Sequence, residues 1–430
     1  MPRNRVIYQS EALYVGPSPS ISGHFTDRTQ VSPTGDPDST NLIKQLHRVQ
    51  TANYAFNIAR TDINQFGELA AIDRVILDSP TVSLDFSYIL AHLQNEKILG
   101  FIVDGQATCI KKLINKEEDE KNYFIETVGE GRDAFQDTTF GDTSVIGIGN
   151  GFITSYTSEC SVGNLPTVSI NVEGLNMAFN AGVSGTTPAI HPQSGIRMHW
   201  QYLLPKATGS WNFTSTLSGV GQTSSLRPGD MVFQFRKIDS ESLDLGEAGV
   251  TGSFPGGPGV GANNSYDAPG AKFGDGGGVD GSSHAKIQSY NLSLDMGREP
   301  IQKLGSRFAF TREITFPITA TLTIEALVAD LLPGSLSDLV NCDDSYDIEV
   351  NLLRPTNCAG AAFKDIFVQY RMKNAKVNSQ AFSSDIGSNK SVTIEFSTQI
   401  GGPNQVKQGL FMSGLHDGFA GFVQETGANQ

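Results

Sequence analysis

The sequence predicts a mainly β protein with short helices, organised as two tandem copies of one antiparallel unit. An internal repeat, a two-residue alternation inside it, and a Ser/Thr/Gly-rich composition with 18% charged residues lead there. Residues 49–93 (VQTANYAFNIARTDINQFGELAAIDRVILDSPTVSLDFSYILAHL) lie without a gap on residues 287–331 (IQSYNLSLDMGREPIQKLGSRFAFTREITFPITATLTIEALVADL), at an offset of 238. The match has 12 identities in 45 positions, among them Gln50/Gln288, Asn53/Asn291, Arg60/Arg298, Gly67/Gly305, Arg74/Arg312 and Thr81/Thr319. Ordinary composition gives about three at a random offset. The match reads as a tandem duplication.

The elements follow in chain order. Residues 1–40 open with short apolar segments, Val6–Tyr8 and Ala12–Val15, before Ser, Pro, Gly and Asp take over. They read as an N-terminal arm that stays mobile or lies on a neighbouring subunit. In the first repeat Val82, Leu84 and Phe86 alternate with Ser83, Asp85 and Ser87; in the second Ala320, Leu322 and Ile324 alternate with Thr321, Thr323 and Glu325. Successive side chains point to opposite faces of a strand, so each copy offers one apolar and one wet face. Tyr54, Phe56 and Ile58, with their counterparts Leu292, Leu294 and Met296, fit the same reading. The Arg60-to-Arg74 connection, containing Gly67, is expected to be a structured turn between two paired strands.

Residues 89–99 read as a short helix ending at Gly100, and FIVDGQATCIKKL after it as a strand. A second shared signature follows. ITSYTSECSVGNLPTVSINVEG from Ile153 lies on VNSQAFSSDIGSNKSVTIEFST from Val377 at an offset of 224, strand, Gly-containing turn, strand in both. WQYLL, WNF and MVFQF, the last preceded by the turn LRPGD, add strands to the first unit. Residues 246–283 hold 13 glycines and read as a flexible connector or surface loop. The expected division is an arm at 1–40, a first domain at 41–245, the Gly-rich linker at 246–283, a second domain at 284–402 and a tail at 403–430.

A net charge of −14 argues against a sequence-reading nucleic-acid binder, because an acidic surface repels phosphate. Cys109, Cys160, Cys342 and Cys358 have no ligand spacing and read as reduced, buried thiols. The first twenty residues lack an apolar core of signal-peptide length, and no stretch approaches the ~20 apolar residues of a membrane helix. A chain made in a reducing cytoplasm is expected. None of the seven histidines stands in a metal-binding spacing, and there is no nucleophile elbow or phosphate loop. No enzyme activity, cofactor or metal is therefore expected. Asp343, Asp344, Asp347 and Glu349 read as exposed carboxylates rather than a calcium loop, and Lys111–Glu120 as a solvated charged loop. The recurring charges Arg60, Arg74, Arg298 and Arg312 either pair with a carboxylate inside each unit or bridge to the next unit, where a planar guanidinium suits an interface.

The two repeat segments, FITSYTSECSVGNLPTVSINVEG and the turn LRPGD cover about half the chain, and with them the sequence resembles the major tail tube proteins of long-tailed bacteriophages. The resemblance implies two tandem tube-like β-sandwich or barrel domains assembling into a ring. In duplicated members three chains give a pseudo-sixfold ring that stacks into a hollow conduit for DNA. The implied partners are the chain itself, tape-measure, tail terminator and baseplate proteins, and DNA in transient non-specific passage, without membrane insertion. The implied location is the virion tail, after assembly in the host cytoplasm. Arg60, Arg74, Arg298 and Arg312 are the candidate ring-interface residues. A baseplate hub or distal tail protein is the alternative within the tail. A carbohydrate-binding or carbohydrate-cleaving virion protein, using Trp200 and Trp211, is the alternative outside it.

Overall fold

A computed structural model describes residues 11–17, 44–90, 93–128, 134, 144–181, 186–189, 197–199, 226, 228, 231–238, 286–302, 304, 309, 311–327, 345–353, 366–383 and 389–414. Strands dominate, as the alternating pattern requires. In order they are β1 (Glu11–Pro17), β2 (Lys44–Gln45), β3 (Val49–Asn57), β4 (Thr61–Ile63), β5 (Asp73–Val75), β6 (Thr81–Ile89), β7 (Glu120–Thr127), β8 (Ser144–Ser161), β9 (Thr167–Gly174) and β10 (Asn176–Ala181). Then come β11 (Thr186–Ala189), β12 (Arg197–His199), β13 (Met231–Ile238), β14 (Lys286–Asp295), β15 (Arg298–Ile301), β16 (Thr311–Ile314), β17 (Ile318–Leu327), β18 (Ser345–Leu353), β19 (Ile366–Ser383), β20 (Ser391–Ile400) and β21 (Gly409–Gly414). Two short helices, α1 (Gln94–Leu99) and α2 (Lys111–Ile114), lie between β6 and β7.

Eight strands form one continuous antiparallel run in the order β3-β6-β9-β8-β14-β17-β20-β19. Two further layers branch from its longest strands. The first half of β8 pairs β7 and β10, and β7 pairs β1; the first half of β19 pairs β18 and β21, and β18 pairs β13. Pairing partners therefore recur at the repeat offsets. Val49↔Tyr88 and Thr51↔Ser87 flank a bulge at Gln50, and Ile287↔Ala326 and Ser289↔Glu325 flank the same bulge at Gln288. Bulges also match at Thr154 in β8 and Asn378 in β19. A bulge sets which side chains face the core beyond it, so this agreement keeps the apolar face of both strand sets in phase.

The branch point has a local cause. Asn150 and Asn374, 224 apart, both have positive φ (54° each) inside their long strands, a conformation that Asn tolerates better than most residues. The backbone N–H of Asn150 donates to Asn122 Oδ1 at 3.0 Å, and that of Asn374 to Asp347 Oδ1 at 3.1 Å. Each strand can then bend from one layer into the other without leaving a donor unpaired.

Buried side chains of both strand sets join in one contiguous core, from Leu13 and Val15 through Leu84, Phe86 and Ile170 to Leu322, Ile394 and Phe396. Helix α1 enters it and ends on Gly100 in the left-handed conformation, as the sequence suggested. It brings the fully buried Glu96 to three tyrosines. Tyr88 and Tyr156 donate to Glu96 Oε1 at 2.6 and 3.2 Å, and Tyr156 meets the Tyr370 hydroxyl at 2.8 Å. Since Tyr156 lies on β8 and Tyr370 on β19, this polar knot ties the two long strands together.

Several expectations change. Glu11–Pro17, expected in an arm that stays mobile or lies on a neighbouring subunit, is β1 of this chain's own sheet, with Leu13, Tyr14 and Val15 buried. FIVDGQATCIKKL is not a strand: residues 101–110 run along β21 through Gly105 N–H to Met412 O and Cys109 N–H to Leu410 O, and α2 follows. The charged segment 111–120 holds α2 and the buried Asp119 rather than a solvated loop. Asp347 and Glu349 lie in β18 facing Arg371 at 3.6 and 3.4 Å, so they are not exposed carboxylates. MVFQF is β13 as a strand, but it pairs β18 of the second set rather than a strand of the first. The second set also continues past residue 402 to Gly414, because β21 completes the layer on β19. The arm beyond Pro17, Trp200, Trp211, the 246–283 segment, Asp343, Asp344, Cys342 and Cys358 lie outside the described residues.

Burial pushes the Glu96 carboxyl from an ordinary 4.5 up to about 7, with the tyrosine hydrogen bonds drawing it partly back. The folded protein thus holds this proton more tightly than the unfolded chain does. The associated stability is complete below pH 4.5 and is lost as pH rises through 7, on the order of 3 kcal/mol. Urea unfolding midpoints measured across pH 5–8 should fall with pH in the native chain, and Glu96→Gln should flatten that slope. An unchanged slope in the variant would assign it to other groups.

Candidate assembly interface

Alternation gives the eight-strand run one apolar face on the core and one face toward solvent. Outward positions of β6, β9, β8, β14, β17 and β20 carry Ser, Thr, Asn and Gln together with Asp85, Glu159, Glu173, Asp295, Glu325 and Glu395. Among the side chains described at these positions there is no Lys or Arg, although Arg312 reaches Glu173 and β14 begins with Lys286; Lys376 faces the same way at the bend of β19, opposite Ser397. Short side chains link neighbouring strands: Thr51 meets the Ser87 hydroxyl at 2.6 Å, Thr167 donates to Glu159 at 3.4 Å, and Ser289 to Glu325 at 3.3 Å. The result is a low, smooth, acidic surface.

The run is continuous because β8 and β14 pair edge to edge, from Ser155↔Asp295 to Ser161↔Ser289. Main-chain bonds from Val162 N–H to Gln288 O (2.9 Å) and Met296 N–H to Thr154 O (2.8 Å) extend the joint. The hairpin β15–β16 then closes over its end. The side chains of Arg298 and Asp119 are 0% and 9% exposed, and they form a two-pronged ion pair at 2.7 and 3.0 Å. The same guanidinium donates to the carbonyls of Ile153 and Arg312 and lies 5.3 Å over the Phe152 ring. Burial pushes the Asp119 carboxyl up, while Arg298 pulls it back toward the ionised form. Arg312, whose guanidinium burial drives down, pairs Glu173 of β9. Lys116 and Glu313 add an exposed contact at 2.6 Å.

The first-set counterparts are placed differently. Arg60 is exposed and has no ion pair among the described residues, and Arg74 pairs Asp62 of its own hairpin at 2.5 Å. Of the four candidate arginines, Arg298 and Arg312 thus bridge from the second strand set to the first, and among the described residues Arg60 and Arg74 do not reach another set. The hairpin β4–β5 and its flanks leave Ile63, Phe66, Leu69, Ile72, Ile76 and Leu77 exposed, Phe66 and Leu69 fully so. Strand β3 is exposed along most of its length, whereas Tyr290, Leu292 and Leu294 of its counterpart β14 are buried. Phe382 of β19 is exposed, whereas its counterpart Ser158 in β8 is buried. Sequence reasoning missed Asp119 and Glu173, because a carboxylate more than a hundred residues from its arginine leaves no local pattern.

Removing either member of a buried pair strands the other charge. Arg298→Ala and Asp119→Ala should each lower unfolding stability by about 3–5 kcal/mol, and the double variant should lose less than the sum. Arg74→Ala should leave the urea midpoint unchanged, since its pair is fully solvated.

No protein-family model and no curated protein matches the chain. Among solved structures it is similar to a chain of the anti-feeding prophage baseplate, with 18% identity, 29% of this chain and 76% of that one covered, and a TM-score of 0.21. It is also similar to an Hcp protein, with 10% identity, 43% and 98% covered, and a TM-score of 0.19. Both TM-scores are low and both likenesses cover less than half of this chain.

Proposed function

We propose that this chain is a structural subunit of a phage-type tail, a tube protein whose two strand sets act as tandem tube domains in a stacked ring. The carrying observation is the eight-strand sheet with a core-packed face and a solvent face of Ser, Thr, Asn, Gln, Asp and Glu. A wall past which DNA must slide has to avoid holding phosphate, and each Lys or Arg on it would add a salt-dependent contact. The six outward carboxylates outnumber the cations described on this face, Lys376 and the Arg312 that pairs Glu173, which suits such a wall. The tail-tube resemblance of the repeat segments supports the same reading and implies three chains per ring. Its work is mechanical, with no catalytic step, cofactor or metal. The partners are further copies of itself and the tape-measure, terminator and baseplate proteins of a tail, and the location is the virion.

Negative-stain electron microscopy with analytical ultracentrifugation over a concentration series tests this. Hollow filaments are expected for a tube protein. Assembly that stops at one ring would favour a baseplate hub or distal tail protein, and a monomer at every concentration would overturn both. The wall reading has its own check. Asp85→Lys with Asp295→Lys should raise the retention of double-stranded DNA by assembled particles at ~50 mM salt, an effect lost by ~200 mM. Equal retention by native and variant particles would count against the face as a conduit wall.

A further inference from the structure

The joint between β8 and β14 has both of its partners present a second time in the chain, and among the described residues the second pair is unused. β3 stands where β14 stands, at an offset of 238, and among the described residues pairs only β6, on one side. The end of β19 stands where the end of β8 stands, at an offset of 224, and among the described residues pairs only β20. Among the described residues each therefore presents an open row of main-chain donors and acceptors, the kind of edge that another strand completes. The two edges lie at opposite ends of the eight-strand run, so one molecule leaves a β14-like edge at one end and a β8-like edge at the other.

Resting on the assembly reading above, we propose that β3 of one copy pairs antiparallel with residues 379–383 of a second copy, repeating the β8–β14 joint between molecules. The internal register carried over by the two offsets sets Asn53↔Ser383, Tyr54↔Phe382, Ala55↔Ala381, Phe56↔Gln380 and Asn57↔Ser379, in place of Asn291↔Glu159 through Asp295↔Ser155. The side chains suit that register. Tyr54 and Phe382 meet on the core side as a cross-strand aromatic pair, where Leu292 and Ser158 meet in the internal joint. Phe56 and Phe382, 57% and 44% exposed in the single chain, are covered. On the solvent side Asn53, Ala55 and Asn57 face Ser383, Ala381 and Ser379, short and uncharged, so the smooth wall continues without a like-charge contact. The hairpin β4–β5 follows β3 as β15–β16 follows β14, and so closes over the neighbouring copy. That movement places Arg60 where Arg298 sits and gives the exposed Ile63, Ile72 and Ile76 a surface to pack on. Because the two edges are different, the contact is head-to-tail and repeats from copy to copy, as ring closure requires.

Cysteine pairs read the register directly. The full chain with Ala55→Cys and Ala381→Cys, oxidised and run on a non-reducing gel, should give a covalent ladder of multimers. The two single variants mixed should give a dimer and nothing larger. Ala55→Cys with Ser379→Cys, two residues out of register, should crosslink at least several-fold less. Gln380→Pro, which removes a main-chain donor at the edge, should lower the assembled fraction in ultracentrifugation. Rings seen by microscopy without the in-register crosslink, or with the shifted pair crosslinking equally, would overturn this pairing and leave the tube reading standing. An intrachain disulfide would overturn the pairing as well. A chain that stays monomeric and uncrosslinked at every concentration would overturn both.

Discussion

Everything in this molecule depends on keeping the main-chain groups of β8 and β19 paired while each strand serves two layers. A strand of 18 residues cannot lie flat in one small sheet and still close over a core. The chain resolves this at Asn150 and Asn374, where a left-handed residue and a bulge turn the strand and a neighbouring Asn or Asp side chain caps the freed N–H. Upstream of the turn each strand builds an outer layer with β7 and β10, or with β18 and β21. Downstream it builds the long run that carries the acidic face.

The same hydrogen-bonding requirement explains the joint. The downstream half of β8 has β9 on one side and would face solvent on the other, and β14 satisfies it. Main-chain pairing supplies the continuity, and the hairpin β15–β16 supplies specificity by burying Arg298 against Asp119. Such a buried pair adds little net stability over an apolar alternative, yet it penalises any other alignment that would leave a charge stranded. The Glu96–Tyr88–Tyr156–Tyr370 cluster plays a comparable part deeper in, tying the two long strands through hydrogen bonds that only one arrangement satisfies. Its cost is a carboxyl held near neutrality, which makes this core sensitive to pH.

The contrast between equivalent residues is informative because their local sequences are so similar. Arg60 and Arg298 occupy the same position after the same strand, and Tyr54 and Leu292 the same position within it. One of each pair is solvated and the other lies in a joint. Nothing local separates them. The difference is whether a neighbouring set is present on that side, and a hairpin with six exposed apolar side chains is what such an element looks like without one.

The sequence by itself determined the strand character, the phase of each apolar face and the repetition. These rest on a period of two and on identities at one offset, both of them local signals: Val82/Leu84/Phe86, Leu322/Ile324, the Gly100 helix end and the β8–β9 and β19–β20 hairpins were all legible. Long-range partnership was decided only in three dimensions. Leu13–Val15 became a core strand because β7 had an open edge, MVFQF joined the second set because β18 did, and residues 101–110 followed β21 instead of forming a strand. Asp119 and Glu173 became ion-pair partners for the same reason. Alternation tells a strand which face to bury, whereas the choice of neighbour depends on which main-chain edges remain unpaired once the rest of the chain has folded.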